Sequence, residues 1–250
     1  TISTLLILGG IGFIVLFDII EKRRFSKFLL QTKVVIIMTA ILLVTGTIFI
    51  LAAEYNNPAT LKNMPVSLKL LNAYFHSASP RTAGFNSLPI ADMTEASKFL
   101  TVILMFIGAS SGSIAGGIKI TTFAVAVLAV VSFIRGQDSV SIFGRTIGRN
   151  IIFKSFCIIA LSSVLVILTT TVLLINNEGS LMQSLYEATS AFGTVGLTTG
   201  ITPNLNTVSK LAIALTMFAG RVGPISFLVA FTFNKNKKLF NYTEGKITVG

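Results

Sequence analysis

Long apolar runs separated by short polar segments fill most of the chain. The runs at 34–53 and 156–175 each have about the 20 apolar residues that one helix needs to cross a bilayer. Residues 1–17 resemble the last part of another spanning helix, and 208–233 form a further apolar run. A fourth run, 99–134, has about twice the length of one span. The pattern predicts an all-α integral membrane protein.

Two shorter segments precede the longer runs and do not have the length of a span. Segments 67–79 and 180–192 contain about 13 residues each, which predicts two half-length re-entrant helices. Pro80 ends the first one. The carbonyl end of a helix carries partial negative charge, so a cation is favoured in the loop that follows each segment.

The second of these loops lies within a neutral stretch, 190–200, rich in small and β-branched residues. Such a sequence is poorly suited to a helix interior. Non-helical backbone lies at membrane depth only where protein buries it or where it lines a water-filled path. The Thr-Val-Gly sequence at 194–196 therefore indicates a loop whose carbonyl oxygens replace the water around a cation. The alternative is an extracellular turn.

An internal repeat favours the pore-loop interpretation over the surface turn. Residues 74–108 align with 186–220 without a gap when the numbering is shifted by 112. The identical pairs include Tyr74 and Tyr186, Thr82 and Thr194, Gly84 and Gly196, Phe106 and Phe218, and Gly108 and Gly220. Internal repeats are common in transport proteins, whose sites lie where the repeats meet.

The repeat divides the chain into five predicted parts. They are the end of an earlier repeat with a cytoplasmic turn (1–32), a helix–pore loop–helix repeat (33–134), a cytoplasmic connection (135–154), a second helix–pore loop–helix repeat (155–233) and a cytoplasmic C-terminal tail (234–250).

The middle of the run at 99–134 is rich in glycine. Four glycines occur in ten residues at 108–117, and each costs roughly 1 kcal/mol relative to alanine within a helix. The composition predicts a break directly below the loop at Gly84, although a tight helix-packing surface is the alternative. A phosphate-binding loop is excluded, because Ile118 separates Gly117 from Lys119 where the motif needs Gly-Lys in direct succession.

Arg221 is a basic residue within the last apolar run. An arginine there costs about 2.5–3.5 kcal/mol on insertion scales, which predicts that it faces a polar interior or a water-filled path. Beneath a cation filter its fixed charge would limit flux. The alternative is an arginine that caps carbonyls freed by Gly220, Gly223 and Pro224.

The net charge of +11 suggests nucleic acid, but the placement of the charges argues against it. On the predicted topology 13 of the 20 Lys and Arg lie on one side, the asymmetry that marks the cytoplasmic face. The sequence shows no metal-ligand cluster or nucleophile–base pair, so we do not expect an enzyme. His76 is interpreted as structural, and Asp92, Glu95, Glu178 and Glu187 as outer-surface or loop-adjacent charges.

Segments 79–86 and 190–198 resemble the third and fourth pore loops of the Trk/Ktr/HKT superfamily. Segments 9–13 and 220–224 are similar to its closing helices. The resemblance implies helix–pore loop–helix repeats, four in all, around a central pore. It also implies that potassium is held by backbone carbonyls of a filter formed here by Thr82, Ala83, Gly84, Phe85, Thr194, Val195, Gly196 and Leu197.

The same resemblance implies a gate beneath the filter. The run at 108–117 would be an intramembrane gating loop, and Arg221 a pore-facing residue that acts with it. The candidate gate residues are Gly108, Ser110, Ser111, Gly112, Ser113, Gly116, Gly117 and Arg221. Other implications are a homodimer in the bilayer of a bacterial plasma membrane, a cytoplasmic nucleotide-binding regulatory subunit, and potassium as the transported ion with no bound cofactor.

Only two complete repeats are present, so we expect a fragment of a chain nearly twice as long. Potassium uptake is thus inferred from half a filter. The alternatives are a sodium or mixed cation transporter of the same superfamily, or a non-transporting membrane scaffold subunit. A simple tetrameric channel subunit is disfavoured, because it would contribute one loop per chain.

Overall fold

A computed structural model describes residues 1–113, 115–176 and 178–223. Within these residues the regular secondary structure is almost entirely helical, as predicted. The helices are α1 (Ile2–Ile11), α2 (Phe13–Lys22), α3 (Leu30–Glu54), α4 (Val66–Ala78), α5 (Glu95–Phe106), α6 (Ile120–Ile134), α7 (Arg149–Ile175), α8 (Leu181–Gly193) and α9 (Thr207–Val222). A short antiparallel hairpin pairs β1 (Ser141–Ile142) with β2 (Arg145–Thr146).

Helices α3 and α7 are the two described helices that are individually long and apolar enough to cross a membrane. Helix α7 begins at Arg149, within the segment predicted as a connection. The predicted short helices are confirmed as α4 and α8. The predicted tail at 234–250 and the lower part of the last apolar run lie outside the described residues.

The sequence predicts one continuous helix for the first apolar run, but the structure divides this run into two helices. Helices α1 and α2 meet at a bend of 93°. The bend is at Gly12, whose φ of +89° lies in the left-handed region that glycine adopts without strain. A β-carbon there would lie 3.0 Å from the carbonyl oxygen of Ser111, so the corner packs tightly on the glycine-rich loop.

The predicted break in the run at 99–134 is confirmed. Helix α5 ends at Phe106 and α6 begins at Ile120, with the glycine-rich segment 107–119 between them. The ends of this segment lie side by side, because Ile107 and Ile118 form a parallel bridge.

The backbone follows the 112-residue repeat. Thr82 and Thr194 have positive φ angles of 65° and 49°, and Gly84 and Gly196 have 75° and 89°. Helices α5 and α9 begin at corresponding positions, where a side chain caps each one: Thr94 accepts from the Ser97 amide and Asn206 from the Ser209 amide. The two repeats therefore share their loop conformation and their capping.

Apolar side chains from both repeats form a common core. The first repeat contributes Ile50, Ala73, Ile90, Met93, Val102 and Met105, and the second contributes Tyr186, Val195 and Leu197. Val195 and Leu197 belong to the second candidate filter loop. That loop is consequently part of the packing between the repeats.

A buried carboxylate organises the end of α3. Glu54 is fully buried and accepts from the Thr94 amide at 2.9 Å and the Thr94 hydroxyl at 2.7 Å. It also accepts from the Thr60 hydroxyl at 2.6 Å and the Asn57 side-chain amide at 2.7 Å. Four donors thus satisfy a charge that would be costly to bury alone. The network joins the loop after α3 to the start of α5.

Helix α3 approaches α4 closely at Gly46. A β-carbon at Gly46 would overlap the hydroxyl oxygen of Ser77 and would lie 3.2 Å from a terminal carbon of Leu104. Ser77 is fully buried and donates to the carbonyl of Leu43 at 3.0 Å, so it has little freedom to move.

We expect Gly46→Leu to lower the free energy of unfolding by about 1–3 kcal/mol, because it overpacks this contact. Thermal unfolding of the detergent-purified protein measures the effect. The control is Val44→Leu, which introduces the same residue on the exposed face of α3, where Val44 is 57% exposed. Equal unfolding midpoints for the two variants would show that the close approach is not important for stability.

Candidate functional site

The two candidate filter loops touch each other at their glycines. A β-carbon on Gly84 would overlap the carbonyl oxygen of Val195 and would lie 3.6 Å from the Cα of Gly196. One on Gly196 would lie 3.9 Å from the Cα of Gly84. Residues 82–85 and 194–197, which are 112 positions apart in sequence, therefore form one site.

Each loop begins where a short helix ends. Helix α4 ends at Ala78 and α8 at Gly193, so their carbonyl ends precede the two loops. Thr194 has left-handed geometry and ends α8, and its amide donates to Ala191 at 3.0 Å. A positive φ is uncommon for threonine, and such backbone often marks functional sites. Partial negative charge from both helix ends reaches the site.

The second loop buries alternate residues. Val195, Leu197 and Thr199 are buried, whereas Gly196 and Thr198 are exposed. One edge of the loop is anchored in the core, and the other is open to the surroundings of the chain. Such an edge is accessible to an ion.

The first loop is less buried and has one engaged carbonyl. Thr82, Ala83 and Gly84 are half-buried, and the Phe85 side chain is exposed. The hydroxyl of Ser79 donates to the carbonyl oxygen of Phe85. A carbonyl oxygen has two lone pairs, so this bond leaves one of them free.

The glycine-rich segment packs directly against the second loop. A β-carbon on Gly116 would lie 2.5 Å from the Thr194 hydroxyl oxygen and 2.8 Å from the carbonyl oxygen of Gly193. On Gly108 it would overlap the carbonyl oxygen of Gly116. The candidate gate residues Gly108 and Gly116 are thus buried against the base of the candidate filter.

Backbone and hydroxyl groups of residues 110–113 form hydrogen bonds within this segment and to neighbouring helices. The Ser110 amide donates to the Gly10 carbonyl at 2.9 Å, and the Ser113 hydroxyl donates to the Ser110 carbonyl at 2.6 Å. The Ser111 and Thr121 hydroxyls lie 2.8 Å apart, within hydrogen-bonding distance. Gly112 is exposed at the tip, with a φ of +83°, and Gly117 has a φ of +73°.

One basic residue ends the glycine-rich segment, and a second lies close to it. Lys119 donates from its ammonium to the carbonyl of Ala115. Arg221 is exposed in the last turn of α9 and is near enough to Lys119 for the two charges to repel. The residue before it, Gly220, meets the end of α8, because a β-carbon there would overlap the carbonyl oxygen of Phe192. Pro224, of the alternative carbonyl-capping interpretation, lies outside the described residues.

Two charged residues beside the loops have environments that the sequence did not indicate. Glu187 was interpreted as an outer-surface or loop-adjacent charge; it is adjacent to the second loop but only 5% exposed. Arg81 lies among Gly10, Thr39 and Ala109, and its Nη2 has no hydrogen-bond partner within the described part of the chain. The signals in the sequence that pointed to these environments are that Glu187 lies within a predicted re-entrant segment and that Arg81 begins the loop after the other one. His76 is fully buried and lies 3.1 Å from the Thr101 hydroxyl, which fits the structural role.

The oxygens available to a cation at this site are carbonyls and hydroxyls. Among the described residues, no three His, Cys, Asp or Glu side chains are grouped so that they could hold a metal ion.

Known proteins share both the sequence and the fold. Residues 1–242 match the TrkH family model, described as a cation transport protein. The Ktr system potassium uptake protein B of Bacillus subtilis is 41% identical across all of this chain and 56% of its own length. The potassium/sodium uptake protein NtpJ of Enterococcus hirae is 36% identical over the same shares of both chains.

A solved structure has the same fold at low sequence identity. The potassium transporter TrkH of Vibrio parahaemolyticus superposes with a TM-score of 0.72 at 14% identity, covering 92% of this chain and 51% of that protein. The chain thus spans about half the length of the relatives that it matches. Because the family model matches nearly all of its residues, this chain belongs to the TrkH family of cation transport proteins.

Proposed function

We propose that this chain forms half of a cation pathway and takes up potassium across a bacterial plasma membrane. The observation that carries the proposal is the contact between two left-handed glycine loops, Gly84 against Val195 and Gly196, each at the carbonyl end of a short helix. Membership of a cation transport family, and relatives named as potassium uptake proteins, support it further.

Carbonyl oxygens supply the proposed ion selection. An entering potassium ion exchanges its water for carbonyls of residues 82–85 and 194–197, with the free lone pair of Phe85 among them. The partial charges of α4 and α8 favour a cation there. A membrane potential of 100 mV contributes about 2.3 kcal/mol per charge toward inward movement.

The proposed gate is the glycine-rich segment 107–119. It contacts Thr194 at the base of the second loop and so lies next to the proposed ion path. Lys119 and Arg221 place positive charge on that side of the filter, where it would oppose a resident cation. Displacement of the segment, together with Lys119 and Arg221, would open the path.

The proposed assembly completes a fourfold filter. Two loops are present in a chain that spans about half of its relatives, so the remaining two would come from the other half of the protein. We further propose a homodimer with a cytoplasmic C-terminus and a nucleotide-binding regulatory subunit. The excess of Lys and Arg on one predicted side supports this orientation.

Sodium or mixed cation transport is the second candidate. It is favoured by the relative from Enterococcus hirae, whose name includes both potassium and sodium.

The direct test uses the full-length protein that carries this chain, with its regulatory subunit, in cells without their own potassium uptake systems. Growth at low potassium supports the proposal, and uptake of sodium that equals or exceeds that of rubidium supports the second candidate. Absence of any cation uptake, with verified membrane insertion, supports the scaffold alternative.

We expect Gly84→Ser and Gly196→Ser to lower the preference for potassium over sodium by about tenfold, a loss of about 1.4 kcal/mol of discrimination. A serine at either glycine strains a left-handed backbone, and at Gly84 it also overlaps the Val195 carbonyl. Rubidium uptake in competition with sodium measures the change.

Gly136→Ser is the matched control for this prediction. Gly136 has a similar φ of +65°, but no atom lies within 4 Å of a β-carbon built there, and it belongs to the predicted connection rather than to either loop. Unchanged ion preference in the two loop variants would refute the filter assignment.

We expect deletion of residues 111–113 to raise the initial rate of rubidium uptake severalfold. The deletion removes the exposed tip around Gly112 and keeps the buried contacts of Gly108 and Gly116. Deletion of 137–139 in the connection is the control of equal length. A correctly folded variant with no uptake would contradict a gating role.

A further inference from the structure

A single buried carboxylate lies behind the second filter loop. Glu187 is in the middle of α8 and its side chain extends to the residues that follow the loop. It accepts hydrogen bonds from four donors: the Thr198 hydroxyl, the Thr199 amide at 3.0 Å, the Thr199 hydroxyl at 3.4 Å and the Thr202 hydroxyl at 2.9 Å. The carboxylate therefore ties α8 to the segment 198–202.

Thr198 extends this network along the backbone. Its hydroxyl oxygen accepts from the Gly200 amide at 2.9 Å and lies 2.9 Å from the Thr202 hydroxyl oxygen. Thr198 directly follows Leu197, the last candidate filter residue. Glu187 thus fixes the exit of the loop, while Thr194 fixes its entry as the end of α8.

Within the described residues, the charge of Glu187 has no cationic partner. Its two oxygens contact hydroxyls and an amide, and none of the ion pairs in the described part of the chain includes it. Buried charge interacts over longer distances than exposed charge, because water screens it less. A negative charge here attracts cations toward the exposed edge of the loop.

The first repeat has no equivalent carboxylate. The position 112 residues before Glu187 is Phe75, and the first loop is held instead by the Ser79 hydroxyl on the Phe85 carbonyl. The two halves of the filter are therefore supported by different chemistry, and only the second has a charged support.

We propose that Glu187 is a positioning residue for ion discrimination, acting through the second loop. The proposal deepens the potassium-uptake function and rests on it. A loop fixed at both ends holds its carbonyls at the spacing that suits potassium. A loop released at its exit relaxes around the smaller sodium ion, so the preference for potassium falls.

The test is Glu187→Gln in the full-length protein with its regulatory subunit. The amide preserves the shape, removes the charge and replaces an acceptor by a donor that faces other donors. Unpaired buried groups of this kind have effects that correspond to about tenfold. We expect the preference for rubidium over sodium to fall about tenfold and the KM for rubidium to rise, with a smaller change in maximal rate.

Glu54→Gln is the matched control. Glu54 is also buried and also accepts four hydrogen bonds, but its partners are in the loop after α3 and at the start of α5, and none of them is a candidate filter residue. We expect this variant to lower the unfolding temperature and to leave the ion preference within twofold of the unsubstituted protein. A general effect of losing a buried carboxylate would change the ion preference in both variants and would overturn the proposal.

Two further variants keep the test decisive if Glu187→Gln does not fold. Thr202→Val removes one donor at 2.9 Å from an exposed position and should lower the preference in the same direction by a smaller factor. Glu187→Asp retains the charge with a shorter reach and should recover part of the preference.

An unchanged ion preference in Glu187→Gln and Thr202→Val, beside a lowered preference in Gly196→Ser, would overturn the positioning role alone. Absence of cation uptake by the unsubstituted protein would instead refute the proposed function.

Discussion

Unpaired backbone groups are too costly to leave in a bilayer, and this constraint governs the arrangement of the chain. Three segments, 79–86, 107–119 and 194–200, leave helical geometry between apolar helices. Each meets part of its hydrogen-bonding need through a neighbouring helix. The Arg81 amide bonds to the end of α4, the Ser110 and Ile118 amides to α1 and the end of α5, and the Val195 amide to α8. The irregular segments are therefore grouped together and bonded to the ends of neighbouring helices.

This grouping is possible because several positions where the segments meet are glycines, which have no side chain. At Gly84, Gly116 and Gly220 a β-carbon would overlap or crowd a backbone or side-chain oxygen from another segment, and at Gly108 it would overlap the Gly116 carbonyl oxygen within the glycine-rich segment itself. The loops contact one another through their main chains, so carbonyl oxygens are concentrated where the repeats meet. A region with many partial negative charges and few bulky groups suits a dehydrated cation better than an organic molecule.

The sequence predicted the helices and loops well, because their signals are local. Apolar length marks the spans, glycine density marks the break after Phe106, and the 112-residue repeat marks both loops. It missed the sharp bend at Gly12 and the burial of Glu187. Those features depend on which segments pack together: Gly12 bends against Ser111, and Glu187 is covered by threonines that follow a loop. A hydropathy pattern predicts that a carboxylate is exposed. The burial of Glu187 becomes evident only when the hydrogen-bond donors around it are known.

The corner between α1 and α2 has a mechanical consequence for the glycine-rich segment. The amide of Phe13 donates to Gly112 at 3.4 Å, and Gly10 accepts from Ser110 at 2.9 Å, so the corner is bonded to this segment on both sides of the bend. Helix α2 runs from there to Lys22. Its Asp18 carboxylate accepts a hydrogen bond from the Leu29 amide at 2.8 Å, which joins α2 to the turn before α3. A displacement of α2 would therefore be transmitted to the glycine-rich segment through the hydrogen bonds at this corner. Force applied at the membrane surface would thus reach the interior through rigid helix rather than through loosely packed side chains.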